Sequence, residues 1–382
     1  MTSRWPEQPV PLGCLNYPFL NWQVKKPADR VSWSVELAAF AVWQHADVAR
    51  ILSDRRFSAN LVNIDQQSGQ LPVEKDVSAA VPKVTNRIRD RLAWIRRHLE
   101  QTVQAVCQKL DHRSSFDLQQ DLIVPCCQDL ALSLTGCETG GSEAENLLKL
   151  ADTVFLMVHA DRARADTATA ELVQHFQEII TRRRQSPRDD LVSALAAIDQ
   201  PTCVLSPLIQ MFVGLATSLP LFLGNASLAL LLNPEQKKLY LQSPTASVSE
   251  LLRYAGPAQV VYRLALQDAF VGDHHFQRGD RLGLLLAHAN RDEQVFTEPE
   301  KLDLSRISVP HLSFGKGMHA CLGAPIIQTA GAILPYNILS WFPQMQVDIA
   351  NTDWGGSRTI QGIIALPVWN TETTGTPRFH IR

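Results

Sequence analysis

The stretch "HLSFGKGMHACLGAP", residues 311–325, sets one thiol, Cys321, among Gly315, Gly317 and Gly323, with His319 two positions before it. Glycines permit backbone conformations closed to other residues and let a chain approach a flat ligand closely. The apolar run that follows, "LGAPIIQTAGAILPYNIL", predicts a helix, with Pro325 tolerated in its first turn. The sulfur then stands near a helix N-terminus, where backbone N–H groups and the helix dipole favour a thiolate. A lone cysteine in such a loop is usually a small, inert hydrophobe. Its surroundings decide between the two.

The rest of the chain bounds the answer. Its 382 residues suffice for a large core, and 45% apolar with 19% charged residues is a globular composition. A net charge of −2 argues against a surface built to neutralise nucleic-acid phosphates. Seven cysteines, Cys14, Cys107, Cys126, Cys127, Cys137, Cys203 and Cys321, are odd in number and contain no C-x-x-C pair. Reduced thiols in a cytoplasm are the plainer reading. The opening "MTSRWPEQPVPLG" has neither the apolar core of a signal peptide nor an anchor helix. Residues 201–234 carry no charge, yet Pro220, Gly224 and Asn225 interrupt them, so the expectation is a buried core helix and no membrane partner.

Helical patterns dominate from about 83 to 256, where "TNRIRDRLAWIRRHLEQTVQAVCQKL" sets Ile88, Leu92, Ile95 and Leu99 on one face. Pro125 predicts a kink or break. Past 257, "QVVYRLAL", "HHFQRGDRLGLLL" and "TIQGIIALPVWN" predict short strands, with "RGD" at 278–280 a tight turn. No linker divides these parts. The fold class expected is mainly α with small β-sheets.

A thiolate shielded by glycine backbone and Phe314 has the chemistry of an axial ligand to haem iron. Here the sequence resembles the cytochrome P450 superfamily of haem-thiolate monooxygenases, in its soluble bacterial form. Phe314, Gly315, Gly317, His319, Cys321 and Gly323 match each fixed position of F-G-x-G-x-H-x-C-x-G. Glu250 and Arg253 in "ELLRY" form the family's E-x-x-R, and "GDRLGLLLAHANRDEQVFTEPEKLDLSR" follows the bacterial pattern. Alone, an i,i+3 pair is usually a solvated ion pair of little value. The resemblance spans roughly residues 30–370. It implies an N-terminal extension over 1–30 without a membrane anchor, then a single domain over 31–382, a triangular α prism around a buried haem b (iron protoporphyrin IX). It further implies Cys321 as iron ligand, and Glu250, Arg253 and Arg306 as a buried lock beneath it. The haem propionates would meet His319, Arg263, Arg89 and His311, although Thr85 stands where relatives usually carry histidine.

The central helix departs from the pattern. Relatives place an acid and an alcohol there to deliver protons during oxygen activation, whereas this chain reads "FVGLATSLPLFLGN". One alignment puts Thr217 and Ser218 at those positions; another puts Ala216 and Thr217. In both the carboxylate is missing, and an acid–base relay typically contributes ~10²–10⁴-fold in rate. Pro220 cannot donate to the carbonyl of Ala216, so it either opens the helix or only bends it. The resemblance implies a pocket at the loop from Asn60 to Lys83, Leu215, Ala216, Leu219, Ala258, Val260, Val261 and Ile363, suited to a hydrophobic small molecule, free or tethered to a carrier protein. The leading expectation is a monooxygenase of secondary metabolism using dioxygen and electrons from a ferredoxin or flavodoxin-type donor. Lys316, Arg91, Arg96 and Arg97 would offer that donor a basic face. A peroxide-dependent or redox-neutral haem-thiolate enzyme is the alternative, and a non-catalytic haem sensor the reading from another class.

Overall fold

The computed structural model describes residues 29–59, 75–157, 161–198, 201–356 and 359–370. Residues 1–28 of the expected extension and 60–74 of the expected pocket loop lie outside them. Backbone contacts divide the chain into two compact units.

One unit combines the chain up to Lys75 with Ser249–Cys321 and Gly355–Gly362. Its five-stranded sheet runs, in spatial order, Val31–Ser34, Ala39–Val42, Arg281–Leu285, Val260–Ala265 and Phe57–Ser58. Ala39–Val42 lies parallel to Arg281–Leu285, with Phe40 opposite Leu282, while Val260–Ala265 is antiparallel to it. The strands after 257 match their β-branched and aromatic patterning. Those before residue 60 are too short to show an alternation: pairing with the distant Arg281–Leu285 and Val260–Ala265 decides Ala39–Val42 and Phe57–Ser58, and Val31–Ser34 pairs with its neighbour Ala39–Val42. "RGD" is the turn expected: Gly279 has φ +96°, and Asp280 accepts from Gln277 N at 2.7 Å. Beneath the sheet Val42, Ile51, Phe57, Phe276, Leu284 and Leu312 pack in one buried cluster. Leu312 thereby anchors the start of the cysteine loop.

The second unit comprises Asp76–Val248, Leu322–Trp354 and the chain from Ile363. It is helical, and Ile88, Ile95 and Leu99 are buried as their spacing predicts, with Leu92 half-buried. Val204–Leu232 is long and apolar enough to cross a membrane, but most of it is buried in this unit, as befits a core helix. Against its second half and against Leu92–Leu110 packs the helix Ala324–Trp341. Gly331 permits a close approach here, since an added Cβ would lie 3.0 Å from both Phe222 and Val248. Tyr240 spans the same contact, donating its buried hydroxyl to Gly331 O at 2.7 Å. Pro125 marks a junction: a π-helical turn, Leu118–Ile123, ends there and the α-helix Val124–Leu134 begins. A small sheet places Pro367–Trp369 between Ser115–Asp117 and Gln346–Val347.

Candidate functional site

The cysteine loop is held by its own backbone. Gly315 N donates to Leu312 O and Cys321 N to Phe314 O, each at 2.8 Å, and Ala320 N donates to Gly317 O at 3.1 Å. Gly315 and Gly317 adopt φ +66° and +74°, conformations costly for any residue with a side chain. Gly317 is constrained a second time, because a Cβ there would meet the Leu52 carbonyl oxygen and Ser53 Cα at 2.9 Å. Cys321 is exposed at the end of this loop, as is His319, and Gly323 caps the helix Ala324–Trp341 just beyond. The loop therefore gathers His311, Phe314, Gly315, Gly317, His319 and Cys321.

Behind it Glu250, Arg253 and Arg306 meet. Glu250 and Arg253 are 2% and 1% exposed, so the solvated ion pair that such spacing usually signifies does not apply. Arg253 donates Nε to Glu250 Oε2 at 2.7 Å and Nη2 to Oε1 at 2.8 Å. Its remaining N–H groups reach Asn290 O, Pro299 O and Lys301 O at 3.0, 2.7 and 2.9 Å. Arg306 Nε and Asp303 N also donate to Glu250, at 3.2 and 3.0 Å. A buried ion pair survives when its desolvation is offset by such full pairing.

Two residues that sequence reasoning left unassigned join lock to loop. Asn290 Oδ1 accepts from Leu312 N at 2.7 Å, while its Nδ2 donates to Ser313 Oγ at 2.8 Å. Ser313 passes the link on, donating to Leu252 O at 2.7 Å. The signal available was "NRD" directly after the short helix Leu286–Ala289: an asparagine at a helix end commonly satisfies backbone groups.

In the same unit Arg263 is buried on the strand Val260–Ala265, with Nη1 donating to Tyr262 O at 2.8 Å. Val260, Val261 and Ala258 lie on or beside that strand. His311 is half-buried, and Nδ1 accepts from Ser313 N at 3.3 Å. Burial, and then the positive charge of Arg253, push its imidazole down to about 4.

The second unit carries Arg89, exposed near the end of the helix Lys75–Asp90, and the altered central element. Arg91, expected on a basic face, is instead paired with Asp189, Nη2 to Oδ1 at 2.5 Å. The uncharged segment is three pieces: an α-helix Pro201–Val213, a π-helical turn Gly214–Ser218, and an α-helix Leu219–Leu232. Leu219 N donates to Gly214 O, five residues back, so the backbone is widened here, and Pro220 enters the first turn of the resumed helix. Leu215, Ala216, Thr217 and Leu219 are buried, and Ser218 is half-buried. Thr217 Oγ1 donates to Val213 O at 2.7 Å. Ile363, buried in this unit, is held by its N–H to Asn225 Oδ1 at 3.0 Å.

The donor set tests what such a loop can hold. Among the described residues no group of three or more His, Cys, Asp or Glu side chains can hold a metal ion. A single thiolate at Cys321 suits a metal that arrives with most of its donors already supplied, as in a porphyrin. An added Cβ at Gly315 would meet only His319 O, at 3.7 Å, so the backbone there is open to close approach by such a group, and thiolate ligation agrees with a single cysteine near a helix start. These residues fit a haem-thiolate protein.

Comparison with known proteins agrees. Residues 240–342 match the family model described as Cytochrome P450. Polyketide biosynthesis cytochrome P450 PksS of Bacillus subtilis is 26% identical over 361 residues, covering 86% of this chain and 88% of that protein. Nocardicin C N-oxygenase of Nocardia uniformis is 28% identical over 371 residues, covering 91% and 93%. The solved structure of P450BioI in complex with a hexadec-9Z-enoic acid ligated acyl carrier protein superimposes with a TM-score of 0.80 at 22% identity, covering 89% and 95% of the two chains. The chain belongs to the cytochrome P450 family and is a monooxygenase of it, and the family implies a haem-thiolate cofactor.

Proposed function

We propose that this enzyme uses haem b, held by Cys321, to oxidise a hydrophobic small molecule of secondary metabolism in the cytoplasm. The observation that supports the reading most is the loop itself: Phe314 O to Cys321 N at 2.8 Å, with Gly317 pressed on Leu52, fixes where the sulfur stands. Bound haem supplies dioxygen activation and oxygen transfer. His319, Arg263, Arg89 and His311 serve its propionates, and the Glu250–Arg253–Arg306 lock holds the loop against displacement. The expected 31–382 domain contains all of these.

Thr217 takes the alcohol's place in proton delivery. Its hydroxyl donates to Val213 O, which leaves Oγ1 lone pairs to accept a hydrogen bond at the widened turn. Ala216 stands where relatives carry the acid, and Ser218 supplies a second hydroxyl. Leu215, Leu219, Ala258, Val260, Val261 and Ile363 select the substrate by shape. Electrons come from a ferredoxin or flavodoxin-type donor, and the substrate is free or carrier-tethered, as in the acyl-carrier complex of P450BioI.

Peroxide dependence is the second reading, favoured by the neutral Gly214–Leu219 turn, since peroxide brings its own protons and electrons. The test is turnover of a panel of hydrophobic probes under two supplies: ferredoxin, reductase, NADPH and dioxygen, or hydrogen peroxide alone. Turnover only with the electron chain supports the monooxygenase reading; turnover favouring peroxide replaces it with the second.

A further inference from the structure

We propose that Gln119 is a positioning residue for the break in the central helix, fixing the register in which Thr217 is presented. The role rests on the reading of that break given above.

Gln119 is 1% exposed, in the π-helical turn Leu118–Ile123. Its backbone is fixed on both sides. Asp117 Oδ1 accepts from Gln119 N at 2.9 Å and from Leu366 N at 3.0 Å, and Leu118 N donates to Leu366 O at 2.8 Å. From this fixed base the side chain reaches the central helix, where Nε2 donates to Pro220 O at 3.2 Å. The orientation of the carboxamide follows from chemistry, because only its NH₂ can face a carbonyl oxygen.

The other end of the carboxamide lies on Gly224. A Cβ at Gly224 would stand 2.3 Å from Gln119 Oε1 and 3.1 Å from Cδ, so the carboxamide in this position rests on the bare backbone of the glycine. Oε1 itself is buried with no hydrogen-bond partner among the described residues. Leaving such an acceptor unpaired costs about 1–3 kcal/mol, and a leucine of similar size would avoid that cost. Packing alone therefore does not account for a glutamine here. What the amide adds is a donor to the first turn after the break.

That turn needs an external hold. Pro220 has no N–H, so the helical bonds to the carbonyls of the widened turn are interrupted at that point. A π-helical turn inserts one extra residue, and its position along a helix is set by whatever pins the flanking turns. On the upstream side Thr217 Oγ1 bonds Val213 O; on the downstream side Gln119 bonds Pro220 O. Without the second bond the turn is free to shift, and Thr217 moves with it.

The test uses haem-loaded, full-length protein. Gln119→Leu keeps volume and removes the donor. Expected are an unchanged reduced-CO spectrum, amide hydrogen exchange about tenfold faster across 214–224, and more peroxide lost per electron consumed. Normal exchange and an unchanged peroxide fraction would overturn the proposal.

Gln119→Glu is the second variant. Its neutral carboxyl can donate to Pro220 O and its carboxylate cannot, and burial raises the pH at which it ionises. Exchange and peroxide loss should therefore be near wild type at low pH and resemble the leucine variant at high pH. A profile parallel to wild type at all pH values would overturn the proposal even if the leucine variant failed to fold. Were the wild-type spectrum to lack the red-shifted CO band, the haem-thiolate reading would fall, while the exchange measurements would still judge the clamp.

Discussion

The cysteine loop and the break in the central helix solve opposite problems. The loop is over-determined: two left-handed glycines, three backbone hydrogen bonds within 312–321, and a lock in which Glu250 and Arg253 are fully paired. The break is under-determined, with five residues in a widened turn, a proline that cannot donate, one hydroxyl bond and one glutamine. On the proposed reading the loop holds a ligand to iron, which must not move, and backbone and buried charge provide rigidity there. The break, if it handles protons as proposed, needs carbonyls and hydroxyls that are not all committed to the helix. The contrast predicts that stability resides in the first region and selectivity among oxidants and products in the second.

Replacing the sulfur should have the largest effect. Cys321→Ser should abolish the red-shifted band of the reduced CO complex while the fold persists, measured by difference spectroscopy beside far-UV circular dichroism. An unchanged band would remove Cys321 from its role. Next comes Glu250→Gln, which keeps the shape and leaves Arg253 buried without its counter-charge. Breaking such a pair from one side costs about 3–5 kcal/mol, so urea unfolding should shift strongly and haem loading should fall. A variant as stable and as fully loaded as wild type would show that the loop does not depend on the lock.

How much of this was legible follows the same division. The loop could be read because each fixed residue answers a local constraint, positive φ at Gly315 and Gly317 or a helix start after Gly323, and local constraints leave local spacing. Glu250 and Arg253 were legible as a pair, although their burial comes from Asn290, Pro299 and Lys301, whose carbonyls carry no side-chain signal. Asn290 and Ser313 were missed because an asparagine and a serine between helix and loop look like ordinary turn residues. The strands Val31–Ser34 and Ala39–Val42 were missed since each is only four residues long, and the hairpin they form is built onto the sheet by Ala39–Val42 pairing with Arg281–Leu285, more than 200 positions away. Pro220 announced an interruption, but whether it widened or only bent the helix depended on Gln119 and Thr217, which sequence spacing does not connect.

A pH measurement sharpens the comparison from the loop side. His311 is half-buried beside Arg253, and its folded imidazole is pushed down to about 4 from an ordinary value of 6.5. Above about pH 6.5 neither the folded nor the unfolded state holds the proton, so the shift costs nothing. As pH falls from about 6.5 towards about 4, the unfolded chain binds it first, and the haem-free protein should lose up to about 3 kcal/mol. His311→Gln should remove that part of the slope in urea unfolding measured at successive pH values. If the slope is the same in both proteins, the imidazole is not held neutral by the loop, and the loop is less dry than its geometry indicates.

The smallest expected change in stability lies in the break. Thr217→Val keeps the branched shape and deletes only the hydroxyl bond to Val213 O, so unfolding should shift by about 0.5–1.5 kcal/mol. That is well below the cost at Glu250, because one neutral hydrogen bond is lost and no buried charge is left unpaired. The catalytic consequence should run the other way: with dioxygen and the electron chain, product per electron should fall and peroxide rise, whereas turnover driven by added peroxide should change little. Loss of stability as large as at Glu250 would mean that the break is structural after all. Unchanged coupling would transfer proton delivery to Ser218, whose half-buried hydroxyl is the remaining donor in the turn. Either outcome bears on the proposed reading of a helix that dispenses with a carboxylate: there a hydroxyl held by one bond would orient the proton donor in the widened turn, and an ionised acid would add a desolvation cost that the neutral segment Gly214–Leu219 avoids.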